Sequence, residues 1–359
     1  SILITTNICT MAKMNLKTFQ KICHQKKWKE VLDYLSGTKD SKKVKKRYLE
    51  STDKDGRNCF HNLVIDEGVL HSAPAVALID TMIKIAGKKY IYTTNAKGQS
   101  VLHVYLKEYY AWDDRFCTKL IEQGGKQLIL MQDEDGRSLM HSLKFMYVLQ
   151  NSDSFPLMLE MAPEIFSLQR NNGNTALHDA VEIRDNADHI VVYNESSYFI
   201  EWMLEQCSKE VSFLGNNDAN TALHLLCMTE GNDLYTIHKI AKKLLDHGGV
   251  DYLLIENNEG KSALDYDVDY RVIRPNIMYD NLLWNAFEAE NLEDLKKIFS
   301  IEKVRNCGTY EGSYYPRYDD LIRKYIDVRD WEKVRKMLSF DGILHKSAIV
   351  DSKSGLVYQ

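Results

Sequence analysis

Asn172-Gly173-Asn174-Thr175-Ala176-Leu177-His178 holds a turn, a helix cap and the start of a buried helix face within seven residues. The Asn-Gly pair favours a tight turn, since Gly reaches φ > 0 without a steric penalty. Thr two residues later suits the N-cap of a short helix, its oxygen taking an orphan backbone N–H. The same line recurs at Asp55-Gly56-Arg57-Asn58-Cys59-Phe60-His61, Lys97-Gly98-Gln99-Ser100-Val101-Leu102-His103 and Asp135-Gly136-Arg137-Ser138-Leu139-Met140-His141. Two further copies are Asp218-Ala219-Asn220-Thr221-Ala222-Leu223-His224 and Glu259-Gly260-Lys261-Ser262-Ala263-Leu264-Asp265. Measured at the His column, the copies lie 42, 38, 37, 46 and 41 residues apart. Five of the eleven histidines stand in that column, far from a chance scatter. Recurrence of one line in register at such spacings is the signature of a repeat architecture.

Amphipathic stretches follow the turn lines. Apolar residues run from Ala75 to Ile85, from Phe116 to Ile121, through Phe199, Ile200, Met203 and Leu204, and through Ile237, Ile240, Ala241, Leu244 and Leu245. Their i, i+3, i+4 spacing predicts helices. The pairs Gly124-Gly125 and Gly248-Gly249 predict helix ends. Each unit therefore reads as hairpin, short helix, second helix.

On these residues the chain resembles the ankyrin repeat family. Asn174-Thr175-Ala176-Leu177-His178-Asp179-Ala180 and Asn220-Thr221-Ala222-Leu223-His224 are close to its T-P-L-H-x-A signature, with Ala in place of Pro. The proline is replaced throughout, by Cys59, Val101, Leu139, Ala176, Ala222 and Ala263, which fits a chain with only five prolines. Other departures are Asn58 for Thr, Met140 for Leu and Asp265 for His. The spacing exceeds the family's period of about 33 residues, so inserts are expected, the longest around Arg184 to Tyr198.

The resemblance implies an all-α solenoid of stacked helix pairs with hairpin turns, spanning 15–340 as a single array. Recognisable units fall near 52–92, 93–130, 131–167, 168–213, 214–253 and 254–280. Helix pairs without the turn line, at 15–36, 281–300 and 319–338, read as caps, with Trp28 and Trp331 in their cores. Residues 1–14 form an N-terminal extension and 341–359 a C-terminal tail.

Composition sets the outer bounds. The chain has 359 residues, 44% hydrophobic and 27% charged, a soluble globular balance without a transmembrane run. The opening Ser1 to Asn7 lacks a leading positive charge and does not read as a signal peptide. Residues 1–60 sum to +8 and the remainder to −13. The seven cysteines form no C-x-x-C pair and read as reduced, mostly buried thiols of an intracellular protein.

Chemistry finds little purchase. There is no phosphate loop, dinucleotide fingerprint, H-E-x-x-H or G-x-S-x-G. The column His61, His103, His141, His178 and His224, with Gly56, Gly98, Gly136, Gly173 and Gly260, is read as structural. The resemblance implies that each imidazole bonds backbone near its hairpin. Ligands about 40 residues apart on successive units would not converge on one metal. Cys227 beside His224 is read as packing rather than a nucleophile pair. No cofactor is expected, and the chain is not expected to be an enzyme.

Function then points to protein–protein recognition, through the concave face of hairpins and first helices that the resemblance implies. The candidate contact residues are the tips Asp133, Glu134, Asp135, Asn171, Asn172, Asn216 and Asn217, and the aromatic group Tyr109, Tyr110 and Trp112. That aromatic group serves equally well as the cover of a loop. Summed over all hairpins the tips carry −5, mildly favouring a basic partner. The run Lys42, Lys43, Lys45, Lys46 and Arg47 is either a targeting or anion-contact patch or a solvated helix face. The compartment expected is the cytoplasm, with the nucleus open through that run; nucleic acid is not expected as a partner. Alternatives are an inhibitor masking a Rel-like transcription factor, and a host-directed effector or the repeat portion of a larger enzyme or channel. Oligomeric state is not legible.

Overall fold

The computed structural model describes residues 14–37, 40–66, 73–108, 114–142, 152–182, 192–229, 234–267 and 272–273, scattered positions between 282 and 298, 349–350 and 357–358. Tyr109, Tyr110, Trp112, most of the insert after Arg184, and the cap at 319–338 with Trp331 lie outside the described residues. So does most of the cap at 281–300. The chain divides into two compact units, Ser1–Ala222 and Leu223–Gln359.

The first unit opens with a helix pair, α1 (Leu16–His24) and α2 (Trp28–Gly37). Asn15 caps α1 by accepting the Thr18 N–H at 2.9 Å. The chain turns between the helices at Lys26, which takes φ 58°. Trp28 is buried, as its place in the cap predicts, and its indole N–H donates to Asp66. Phe19, Tyr34 and Tyr48 join in one aromatic group, with ring centroids 5.7 to 6.1 Å apart.

The basic run then forms α3 (Lys42–Leu49). Lys45 is buried and donates from Nζ to the Leu35 carbonyl at 2.8 Å, satisfying an orphan carbonyl near the end of α2. Lys42, Lys43, Lys46 and Arg47 stay exposed. The run is thus a helix with one structural lysine on its inner side.

The hairpin units follow. In the first, α4 (Cys59–Val64) starts straight after the turn line and α5 (Ala73–Ala86) is the second helix. The next pair is α6 (Val101–Glu108) and α7 (Asp114–Ile129). Then come α8 (Leu139–Ser142) and α9 (Ser154–Met161), and α10 (Ala176–Val181) with α11 (Val192–Gln206). A short helix, α12 (Lys209–Ser212), leads into the fifth hairpin.

The predicted apolar faces are the core. Leu78, Ile79, Met82, Phe116, Leu120, Ile121, Ile200 and Met203 are all buried. Around α11, Trp202 meets Phe155 edge-on and stacks beside Phe199.

The break at Gly125 is sharper than a simple helix end. Gly125 takes φ 60° and one more helical turn follows it, so α7 is two helices joined at a kink. Gly124 is needed for a different reason: a Cβ there would sit 2.5 Å from that of Leu128.

In the second unit, α13 (Ala222–Met228) precedes α14 (Leu234–Leu253), which is broken in the same way at Gly249, and then α15 (Ala263–Tyr266). Ile237, Ile240, Ala241, Leu244 and Leu245 are buried along α14. Near the C-terminus, Ile349–Val350 pairs antiparallel with Val357–Tyr358.

Candidate interaction surface

Every hairpin closes by one rule. The backbone N–H of Asp53, Asn95, Asp133, Arg170, Asn216 and Asn257 donates to the carbonyl of Arg57, Gln99, Arg137, Asn174, Asn220 and Lys261 respectively, at 2.8 to 3.0 Å. In five of the six hairpins the first residue of the turn also supplies its side chain, and in the fourth Asn172 does so instead. Asp133 Oδ1 accepts from the backbone of Asp135 and Arg137, and Asn216 Oδ1 from that of Asp218 and Asn220. Asn172 Oδ1 accepts from Asn174. Side chains that look available for a partner therefore already fasten their own turns.

Within the first unit the tips are laced together. Ala96 donates to Asp55 O, Glu134 to Lys97 O, Asn171 to Asp135 O and Asn217 to Asn172 O, all by backbone N–H at 3.0 to 3.1 Å. The side-chain amides of Asn171 and Asn217 add bonds to the carbonyls of Glu134 and Asn171. This approach explains a glycine: a Cβ on Gly173, at φ +82°, would lie 2.3 Å from the Asn217 nitrogen. Of the tip residues, Glu134 keeps an exposed side chain outside this lacing, while Asp135 pairs with Arg137 at 3.2 Å.

The histidine column forms a second ladder, deeper in. Nε2 of His61, His103, His141 and His178 lies 2.8 to 3.1 Å from the carbonyls of Gln99, Arg137, Asn174 and Asn220. Each of those carbonyls belongs to the next hairpin. In the second unit, His224 meets Lys261 O in the same way at 3.1 Å. The bond expected near each histidine's own hairpin runs instead to the backbone of the neighbouring hairpin.

The other ring nitrogen turns back to the histidine's own cap. Nδ1 of His178 accepts the Thr175 N–H at 3.1 Å and lies 2.8 Å from Thr175 Oγ1. Ser138 and His141 repeat the pattern, and Ser100 Oγ lies 2.8 Å from His103 Nδ1. A nitrogen that accepts a backbone N–H carries no proton, so in His141 and His178 the proton is on Nε2 and the ring is neutral. Burial pushes the His103, His141 and His224 imidazoles below their ordinary range, and His61 down to about 4. The depressed values favour the neutral rings that the hydrogen bonds require. Among the described residues, no three His, Cys, Asp or Glu side chains converge to hold a metal.

Two departures from the repeat line now acquire meaning. Asp265 accepts from Ser262 N–H at 2.8 Å and from its hydroxyl at 2.9 Å, completing its own cap. A carboxylate has no N–H, so it cannot continue the ladder. Asn58 puts its amide oxygen against the Phe60 and His61 backbone N–H groups, and also 2.8 Å from His61 Nδ1. Both nitrogens of His61 therefore face acceptors.

Among the buried thiols, Cys23 and Cys59 lie Sγ to Sγ at 3.3 Å. Cys227 and His224 are both buried in α13, and His224 is committed to Lys261.

A scan against protein-family models and a search of curated proteins each find no match. Solved structures are similar. The ankyrin repeat domain of Bcl-3, described as a unique member of the IkappaB protein family, is 14% identical with a TM-score of 0.50. The likeness covers 72% of this chain and 96% of that one. An ankyrin repeat protein, EF0377, is 16% identical with a TM-score of 0.42, over 64% of this chain and 98% of its own. At 14% identity the likeness to the Bcl-3 domain speaks for the fold alone: the chain has an ankyrin-repeat, all-α solenoid fold.

Proposed function

We propose that this ankyrin-repeat chain is a non-catalytic scaffold that binds partner proteins through its hairpins and first helices. The observation that supports this is the double lacing of successive hairpins, by tip backbone and by histidine. A surface held rigid before contact loses little conformational freedom on binding, which raises affinity for a given area. The array from 15 to 340 is read as one continuous scaffold, with the exposed tips and the Tyr109–Trp112 segment as its contact points. No helix of the described residues is long and apolar enough to cross a membrane. The free cysteines among the described residues favour a reducing, intracellular compartment in this reading.

Affinity purification of the full chain with mass spectrometry, beside Glu134→Lys and Asp135→Lys variants, tests the reading. Partners retained by the parent and lost by a variant of unchanged melting temperature support it. An identical set from both variants, or none from the parent, overturns the tip surface as the binding face.

A further inference from the structure

The basic head of the chain folds around a cavity that the hairpin surface does not use. It has a volume of about 560 Å³ and opens between α1, the end of α3, the first hairpin and α4. Its floor is apolar: Phe19, Cys23 and Cys59 are buried, and the Tyr48 ring lies 5.7 Å from that of Phe19. Its rim is cationic. Lys17 and Lys21 stand one helical turn apart on α1, and Lys54 and Arg57 come from the two sides of the hairpin turn.

These cations are not neutralised by the wall they belong to. Among the described residues, Lys17, Lys21, Lys54 and Arg57 make no ion pair. The one carboxylate in the described lining, Asp53, turns Oδ1 into its own hairpin, accepting from the backbone of Asp55 and Arg57 at 2.9 Å each. Arg57 Nε is buried and meets no acceptor among the described residues.

We propose that this cavity receives an acidic peptide segment of a partner protein. Its carboxylates would pair with Lys17, Lys21, Lys54 and Arg57, and one apolar side chain would rest on the half-buried Tyr48 ring beside Phe19. The proposal rests on the scaffold reading and names a partner chemistry for a second face. The volume lies within the range of about 300–1,000 Å³ typical of ligand pockets. A compact phosphate prefers donors converging on one point. Here the cations come from separate elements around an apolar floor, which suits a chain alternating carboxylate and apolar side chains. The occupant expected is opposite in charge to a partner of the acidic hairpin tips.

Fluorescence anisotropy of a fluorescein-labelled Asp-Glu-Phe-Asp-Asp-Leu-Glu peptide with the full chain tests this, against a counterpart carrying Asn and Gln. The acidic peptide is expected to bind and the amide peptide to bind at least about tenfold more weakly, the gap narrowing as salt rises. The double variant Lys21→Glu/Lys54→Glu changes exposed residues and should weaken binding about tenfold or more at an unchanged melting temperature. Lys42→Glu/Lys43→Glu, equally charged but outside the lining, should leave it intact. Equal binding of the two peptides, or equal loss in both double variants, overturns the site. Full competition by millimolar inorganic phosphate overturns the peptide reading in favour of a small-anion site. If peptide binding fails while the Glu134→Lys variant still loses its partners, only this cavity falls and the scaffold reading stands.

Discussion

The first and fourth hairpins carry the same histidine and hold it differently. In the fourth, Thr175 gives His178 a partner able to donate, so one neutral ring accepts at Nδ1 and donates from Nε2 to Asn220. In the first, Asn58 gives His61 an amide oxygen at 2.8 Å, and Gln99 O waits at 3.1 Å on the other side. Burial keeps His61 neutral at pH 7, so it has one proton for two acceptors. Asn58 is the better cap for α4, taking two backbone N–H groups, and the poorer partner for the ladder. A repeat tolerates divergence at one position by moving the cost to another.

The largest disruption of the fourth unit is Ala176→Asp. Ala176 is 3% exposed, and a carboxylate there would be buried without a partner. A loss of about 4 kcal/mol or more is expected, read by denaturant unfolding. A fall below about 1 kcal/mol would mean that this packing is looser than its burial implies.

His178→Ala removes the ladder bond and exposes the Thr175 cap, and should cost about 2–3 kcal/mol. His61→Ala should cost less, since one of its two contacts is already unmet. Equal losses would erase the contrast between the hairpins.

Acid should act through the same rings. A histidine whose folded value is depressed contributes its full stability above its unfolded value near 6.5. That stability is lost as pH falls from there towards the folded value, about 4 for His61. Between pH 7 and 5, His61 alone should account for on the order of 2 kcal/mol. Urea midpoints across this range check it, and a His61→Gln chain with an undiminished slope would remove His61 from the account.

Asn58→Thr is the finest test. It should give His61 the partner His178 has, and stabilise by up to about 1 kcal/mol despite losing the Asn58 amide bond to Thr93. Nitrogen chemical shifts should then place the His61 proton on Nε2, matching His178.

Much of the fold was legible because turn chemistry is local. Asn-Gly followed by Thr needs no distant partner to favour a hairpin and a cap, and six copies in register left little doubt about a repeat. The surface was less legible. Asn171 and Asn217 read as polar tips available to a partner; only the stacked backbone shows their amides bonding to the preceding tip. Lys45 was one cation in a run until the fold buried it against Leu35. The cavity rim joins Lys17 and Lys21 to Lys54 and Arg57, more than 30 residues on, and its only sequence trace was the +8 head.

The sequence by itself determined the period, the hairpins and the buried helix faces, since each rests on the conformational preferences and hydrophobicity of neighbouring residues. Only the tertiary structure decided that each histidine reaches into the next unit, that Asp265 breaks that chain of bonds, and that four cations share one apolar floor. Those outcomes depend on which donor faces which acceptor across a stacked interface, and a linear pattern carries no distance between units.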